Sequence, residues 1–306
     1  EVSETQYTNS QRITNELRQD IINQQRIISA EGKNKSSTTK KKIINEKNTR
    51  NIQRLKDVKS QMGDQQNKLN DFNKEEGASI WLTTLPLKEE GYTLSKQEFW
   101  DLLKVRYGWV LDRLPVNCEC GSKFNLDHAL SCKKGGFVSI RHNEIRNITA
   151  SLLDEVCKDV RIEPALQPLT GEKFERPTNT NDEARCDVSA RNFWQRGQVA
   201  FLDVRVFNPT AARYSKLEVE RCYEINEREK KRQYNDRIME VDHGSFTPMV
   251  ISANGGMGRE ATTFYSRLSQ MIADKRKQNY SLIKSRNRRK ICFSRIKSDI
   301  RSNRGS

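Results

Sequence analysis

Two short alternating runs, ARCDVSA over residues 184–190 and VAFLDVRVF over 199–207, limit what this chain can fold into more than any other feature. A period of two is the pattern of a half-buried strand, and Arg196 and Gly197 between the runs supply a turn. In the first run Ala184, Cys186 and Val188 share one face, and Arg185, Asp187 and Ser189 the other. In the second, Phe201, Asp203 and Arg205 lie opposite Leu202, Val204 and Val206. Paired as a hairpin, the two strands bring Asp187 and Asp203 to one side, near the sheet's edge. Carboxylates that close repel unless a cation sits between them.

The surrounding pattern supplies the rest of a core. Ile145, Ile148, Leu152 and Val156 recur at helical spacing and predict a helix ending near Cys157. Strands are expected at 160–168, 184–191 and 198–206, then a charged helix over roughly 214–240 and a short apolar strand, FTPMVIS. After the glycine turn NGGMG, a further helix runs through Phe264, Leu268 and Ile272. Helix, three-strand meander, helix, strand, helix describes an α/β unit with one central sheet over 140–275.

Three other segments flank that unit. Residues 1–76 read as a helical arm or linker: they lack proline and carry spaced apolar positions such as Ile13, Leu17, Ile21 and Ile22, with SSTTKKK as an interruption. No heptad persists for three repeats, so a solvated arm fits better than a coiled coil. Over 77–139, Ser95 followed by Glu98 is a capping-box signature, with Phe99, Leu102 and Leu103 facing inward and Trp81, Trp100 and Trp109 in the core. Residues 276–306 form a basic segment: 275–304 hold twelve Lys and Arg against one acid. Tyr280, Ile283, Ile291, Phe293 and Ile296 interleave with those cations, so a solvated tail and a helix lying along a phosphate backbone are equally open.

Fifty-five Lys and Arg against 40 Asp and Glu give the 306 residues a net charge of +15, which favours a polyanionic partner, nucleic acid or an acidic membrane surface. No run of 18 apolar residues exists to span a bilayer, and no charged-then-apolar leader opens the chain. A reducing interior compartment is therefore expected, with Cys157, Cys186, Cys222 and Cys292 as ordinary thiols. The chain starts at Glu1 without a methionine, which suggests a piece of a longer polypeptide.

Cys118, Cys120, His128 and Cys132 stand in CECGSKFNLDHALSC, a C-x-C-x7-H-x3-C arrangement. Zinc takes four tetrahedral thiolate or imidazole ligands, and a tight turn followed by a helical His-to-Cys step supplies four within 15 residues. A closed set of this kind is structural, and His142 is a spare candidate, either for this site or for the next. For the aspartate pair the fitting cation is Mg2+ or Mn2+. Such an ion binds one or two carboxylates plus waters and phosphate oxygens, as phosphodiester hydrolysis requires. Arg205, on the face of Asp203, could hold a phosphate.

In this order, the CCHC cluster, RHNEIRN, R-x-D, the D-V-x-V strand, EREKKRQY and FTPMVISANGG resemble the C-terminal part of retrotransposon open reading frames. The likeness is to the zinc knuckle and restriction-like endonuclease that follow the reverse transcriptase in site-specific non-LTR elements, and it covers roughly residues 80–300. The resemblance implies a PD-(D/E)xK fold with Asp187 and Asp203 as the metal-binding acids. Cys186 stands where that motif has proline, and Arg205 where it has lysine. In the related endonucleases a basic residue on the next helix compensates, and Lys230 or Lys231 fits that place. Glu144 on the first helix is a candidate third ligand, and Glu163 a weaker one.

The implied activity is nicking of target DNA, with a catalytically inactive nucleic-acid-binding module of the same fold as the alternative. Arg141, His142, Arg185, Arg286, Arg288, Arg289 and Lys290 are the expected nucleic-acid contacts. DNA is the expected partner, element RNA a further one, with a nuclear site of action. No Y-x-D-D occurs, so the resemblance places the reverse transcriptase region before Glu1 in the same polypeptide.

Overall fold

The computed structural model describes residues 37–112, 114–132, 134, 137–167 and 185–304. The chain divides into two compact units at Met62 and Gly63. In the first unit the described part is helix α1 (Ser37–Gln61). It takes in all but the first serine of SSTTKKK, and lysine propagates a helix well. Ile13, Leu17, Ile21 and Ile22 lie outside the described residues.

The second unit is built on a four-stranded mixed sheet, β1 (Lys158–Ile162), β2 (Val188–Arg191), β3 (Val199–Phe207) and β4 (Ser245–Ser252), in the spatial order β1-β2-β3-β4. The first three strands form an antiparallel meander, and β4 joins β3 in parallel after the crossover helix α7 (Val219–Glu240). β1 is shorter than the expected 160–168. Its register shifts between Lys158 and Arg161, and Asp159 and Glu163 have φ of 51° and 53°, a left-handed backbone that cannot continue a ladder. Pro248 is tolerated because β4 is an edge strand.

The period of two sorts the side chains of β3 as read, whereas Cys186, expected on the face of Val188, packs instead with Phe201 and Tyr234. Leu202 and Val204 of β3, with Met249 and Ile251 of β4, are buried in one cluster with Ile145 and Leu153 of α6 (Phe137–Asp154) and Phe264 and Leu268 of α8 (Arg259–Arg276). On the other face Phe201 and Phe246 pack with Tyr234 and Ile238 of α7. That opposite face is where Asp203 lies, toward α7.

Helix α2 (Asp64–Asn73), placed with the arm by sequence, belongs to the second unit. Phe72 at its end is fully buried, with ring centroids 6.2 Å from Phe207 and 6.1 Å from Tyr223. Next come α3 (Ile80–Thr83), α4 (Lys96–Tyr107) and α5 (Leu126–Ser131). The capping box on α4 is present: Glu98 N donates to Ser95 Oγ at 3.2 Å and Ser95 N to Glu98 Oε2 at 2.6 Å. Trp81 and Leu102 are buried as expected, but Trp100 and Trp109 are exposed by 47% and 40%, and Phe99 also faces outward. The positions α4 buries are instead Asp101, Leu102 and Lys104.

The basic C-terminal segment is not a solvated tail. It is α9 (Tyr280–Arg304), whose Ile283, Ile291, Phe293 and Ile296 are buried. Two of its cations, Arg288 and Arg295, are buried. Arg295 Nη1 lies 2.7 Å from Asp299 Oδ2, and Arg141 Nη1 of α6 lies 2.9 Å from Asp299 Oδ1, all three side chains being buried. Arg288 donates to Glu76 O at 2.5 Å. No helix among the described residues is long and apolar enough to cross a membrane.

Removing one member of a buried charge network leaves the others uncompensated, at a cost of about 3–5 kcal/mol. Asp299→Asn is therefore expected to lower the unfolding free energy by roughly that amount in urea titration, with the m-value unchanged. A loss under about 1 kcal/mol would show that the network does not hold α6 to α9.

Candidate functional site

The cysteine cluster is assembled by local chain geometry. Cys118 N donates to Ser122 O at 2.9 Å and Gly121 N to Cys118 O at 2.8 Å, closing a tight turn around Gly121 at φ 87°. Only glycine holds that conformation without strain. Asn125 then caps α5, accepting His128 N at 2.8 Å, and sets the His128-to-Cys132 step.

The four candidate ligand atoms of Cys118, Cys120, His128 and Cys132 lie within 4.8 Å of one another. Cys118 Sγ and Cys132 Sγ are 3.7 Å apart, and Cys120 Sγ is 3.2 Å from His128 Nε2. Zinc–sulfur bonds of about 2.3 Å at tetrahedral angles place two sulfurs about 3.8 Å apart, so the set is dimensioned for a tetrahedral ion. Hydrogen bonds from Ser122 pull the Cys120 thiol down to about 6, toward the thiolate a metal needs. The cluster can hold a metal ion.

α5 also ties this cluster to the sheet. Asp127 Oδ1 accepts from Asn208 Nδ2 at 3.1 Å and from the Thr210 hydroxyl just after β3, and Leu130 O accepts from Arg141 Nη2 at 2.8 Å.

Midway along β3, the two aspartates converge. The β2–β3 register pairs Val188 with Leu202, and one step further it sets Asp187 across from Asp203. The ladder stops there because Asp187 Oδ2 takes Val204 N at 2.5 Å, a side chain standing in for a strand partner. The same oxygen lies 3.0 Å from His142 Nε2 of α6. Asp203 is buried on β3, an inner strand, so the site sits within the sheet and not at its edge.

Lys230 Nζ of α7 stands 2.6 Å from Asp203 Oδ2 and 5.5 Å from the centre of the Tyr234 ring. Burial raises the Asp203 carboxyl above the usual carboxylate range. Lys230 opposes that and the Asp187 charge adds to it, so desolvation wins. Burial tends to lower His142, but the hydrogen bond and charge of Asp187 outweigh it and leave the imidazole raised. The Cys186 thiol, where a proline was expected, is buried and pushed up by desolvation and then by both aspartates.

Several expected site residues are elsewhere. Lys231, one position from Lys230 and so turned by 100° on the helix, lies 2.5 Å from Glu260 Oε1. Arg205 Nη1 donates to Glu229 Oε2 at 2.7 Å, and Arg213 shares that glutamate. Glu144 is turned away from the aspartates: Ser294 at 2.9 Å, Ser298 at 2.5 Å and Arg301 at 2.8 Å, all on α9, occupy its carboxylate. Glu163 pairs with Arg146.

Among the expected nucleic-acid contacts, Arg141 and Arg288 are buried and bonded internally. Arg286 lies 3.5 Å from Glu90, Arg289 is beside Tyr92, and Lys290 lines a cleft described below. His142 belongs to the aspartate site and not to the cysteine cluster. Arg185 is exposed and bridges to Ala165. Tyr234 was missed by sequence, although its spacing of four from Lys230 places both on one helix face.

No family model matches the chain, and no curated protein matches it.

Metal analysis of the chain purified without chelator should find one ion per chain, and Cys132→Ser should abolish stoichiometric binding. The variant's thermal midpoint should fall as well, since α5 anchors Asp127 and Leu130 O. A metal-free parent with an unchanged midpoint would remove the metal from the cluster.

Proposed function

We propose that this chain is a metal-dependent endonuclease of restriction-like fold that nicks DNA by phosphodiester hydrolysis. The observation that carries this reading is the convergence of Asp187, Asp203 and Lys230 where β2 begins, beside the middle of β3. The order α6, β1–β2–β3, α7, β4 supports it, being the helix, meander, helix, strand sequence of restriction-like cores. So does the net charge of +15, which concentrates polyanions near the site.

The residues suit Mg2+ or Mn2+. Two hard carboxylates face one another, one of them buried and held above its ordinary range by desolvation, and a divalent ion there relieves their repulsion. Both bonds to Asp187 fall on Oδ2, so Oδ1 is the oxygen a cation would take. A bound ion would supply a water of lowered pKa and neutralise charge on the phosphate.

The chain's own groups do the rest. His142 fixes the orientation of Asp187. Lys230, already at Asp203, is placed to exchange that contact for a scissile phosphate oxygen or to orient the attacking water. Attack in line with the leaving 3′ oxygen then yields a 5′ phosphate and a 3′ hydroxyl. The cysteine cluster would hold zinc in a structural role, keeping α5 locked to the loop after β3 and to Arg141.

A second reading is a binding module of the same fold that no longer cuts. The pairing of Arg205 with Glu229 favours it, since no cation of β3 then faces the aspartates.

Supercoiled plasmid at low salt with Mg2+ or Mn2+ separates the two readings. The parent should convert it to open circles, Asp187→Asn, Asp203→Asn and Lys230→Ala should each lose a hundredfold or more, and Lys231→Ala should retain activity. A folded parent that binds DNA yet leaves it uncut with either ion hands the assignment to the binding module.

A further inference from the structure

We propose that the second unit carries a track for single-stranded nucleic acid, made of two adjoining hollows away from the aspartates. This inference does not rest on the metal-site reading.

The first hollow is a cleft of about 450 Å³ between α6 and α9. Asn147 and Ser151 project into it from α6, one helical turn apart, and Lys290 and Lys297 from α9, two turns apart. Lys297 Nζ donates to Gly91 O at 2.7 Å, which leaves two ammonium protons for a ligand. Glu90 is the one acid of this lining, and it faces Arg286 at 3.5 Å. The cleft therefore presents cations and neutral donors to an anion.

The second hollow is a groove of about 510 Å³ lined by Trp81, Phe99 and Trp100, with Lys96 at its rim. Tyr92 and Phe293, whose rings lie 4.8 Å apart, line both hollows, which therefore adjoin. Beyond Trp100 the ring surface extends. Trp109 lies 6.3 Å from it, and Tyr107 stacks on Trp109 at 5.1 Å. All three of these rings are at least 40% exposed, an unusual amount of flat apolar surface to leave in water.

One ligand chemistry uses both halves. A single strand alternates an anionic phosphate with a planar base, so its backbone suits the lysine and amide cleft while its bases stack on the rings. A duplex keeps its base faces stacked inside and has nothing to offer the groove. An apolar peptide would fill the groove but leave Lys290, Asn147 and Ser151 unmatched. The charge over the lining, Lys96, Lys290 and Lys297 against the paired Glu90, points the same way.

The test uses the full chain and fluorescence anisotropy with labelled oligothymidine and oligouridine of about 15 nucleotides, beside a duplex of equal length. Trp100→Ala should weaken binding of the single strands about tenfold and leave the duplex unchanged. Lys290→Ala, on a different helix, should reduce the slope of log affinity against log salt by about 0.7. Asp187→Asn should bind both single strands as the parent does, which separates this track from the metal site. Loss on either oligothymidine or oligouridine supports the track, the preferred strand naming the sugar. Equal losses on single strand and duplex, or single-strand affinity unchanged in both variants, would overturn it. Unchanged affinity with a Trp100→Ala shift in solution mass would assign the groove to a protein and overturn it equally.

Discussion

The buried contact of Arg141 and Arg295 with Asp299 is the constraint on which the arrangement of the second unit depends. A guanidinium taken fully out of water needs a compensating charge, and Asp299 supplies the carboxylate that ties α6 to α9. The same guanidinium donates to Leu130 O, so the cysteine cluster on α5 is held by the same residue. One position along α6 stands His142, and its reach to Asp187 inherits that placement. A single buried arginine thus connects the C-terminal helix, the metal candidate and the aspartate pair.

Around the aspartates, burial and pairing pull in opposite directions. Lys230 lies close enough to Asp203 to favour its ionised form, yet the carboxyl remains above its usual range because an inner strand excludes water. The folded chain therefore bears an uncompensated cost at this position, which a divalent ion would offset. Sites that bind cations or phosphates tolerate such a cost, because relieving it adds to ligand affinity. Lys231 has no such tension: it lies half-exposed beside Glu260, and its place on the next face of α7 separates it from the sheet.

The order of elements, the alternation on β2 and β3 and the cysteine ligand set were legible in the sequence because each depends on local spacing. Period two fixes which side of β3 Asp203 occupies whatever packs there, and four ligands within one loop need no distant partner. What was not legible depended on long-range partners. Glu144 looked like a ligand until α9 claimed its carboxylate, and the cations of 276–306 looked solvent-facing until Asp299, Glu76 and Ala253 were found beside them. The pairing of Arg141 with Asp299 spans 158 positions, which no periodicity records. Trp100 and Trp109 failed for the converse reason: an aromatic residue signals burial by default, and only the finished packing shows that α4 buries Asp101, Leu102 and Lys104 instead.

Those exposed rings and the buried cations bear on one question, namely where this chain's positive charge can act. With Arg141, Arg288 and Arg295 inside, the net +15 overstates the field available to a partner along α9. Lys290 and Lys297 lie on the opposite stripe of that helix from Arg288 and Arg295, and they border the cleft that adjoins the aromatic groove. Of the cations described on α9, the two buried ones are both guanidiniums, Arg288 and Arg295, set on carbonyls and a carboxylate, while Lys290 and Lys297 stay partly exposed at the cleft. That division follows from chemistry: the planar, weakly hydrated guanidinium survives burial better than the strongly hydrated ammonium.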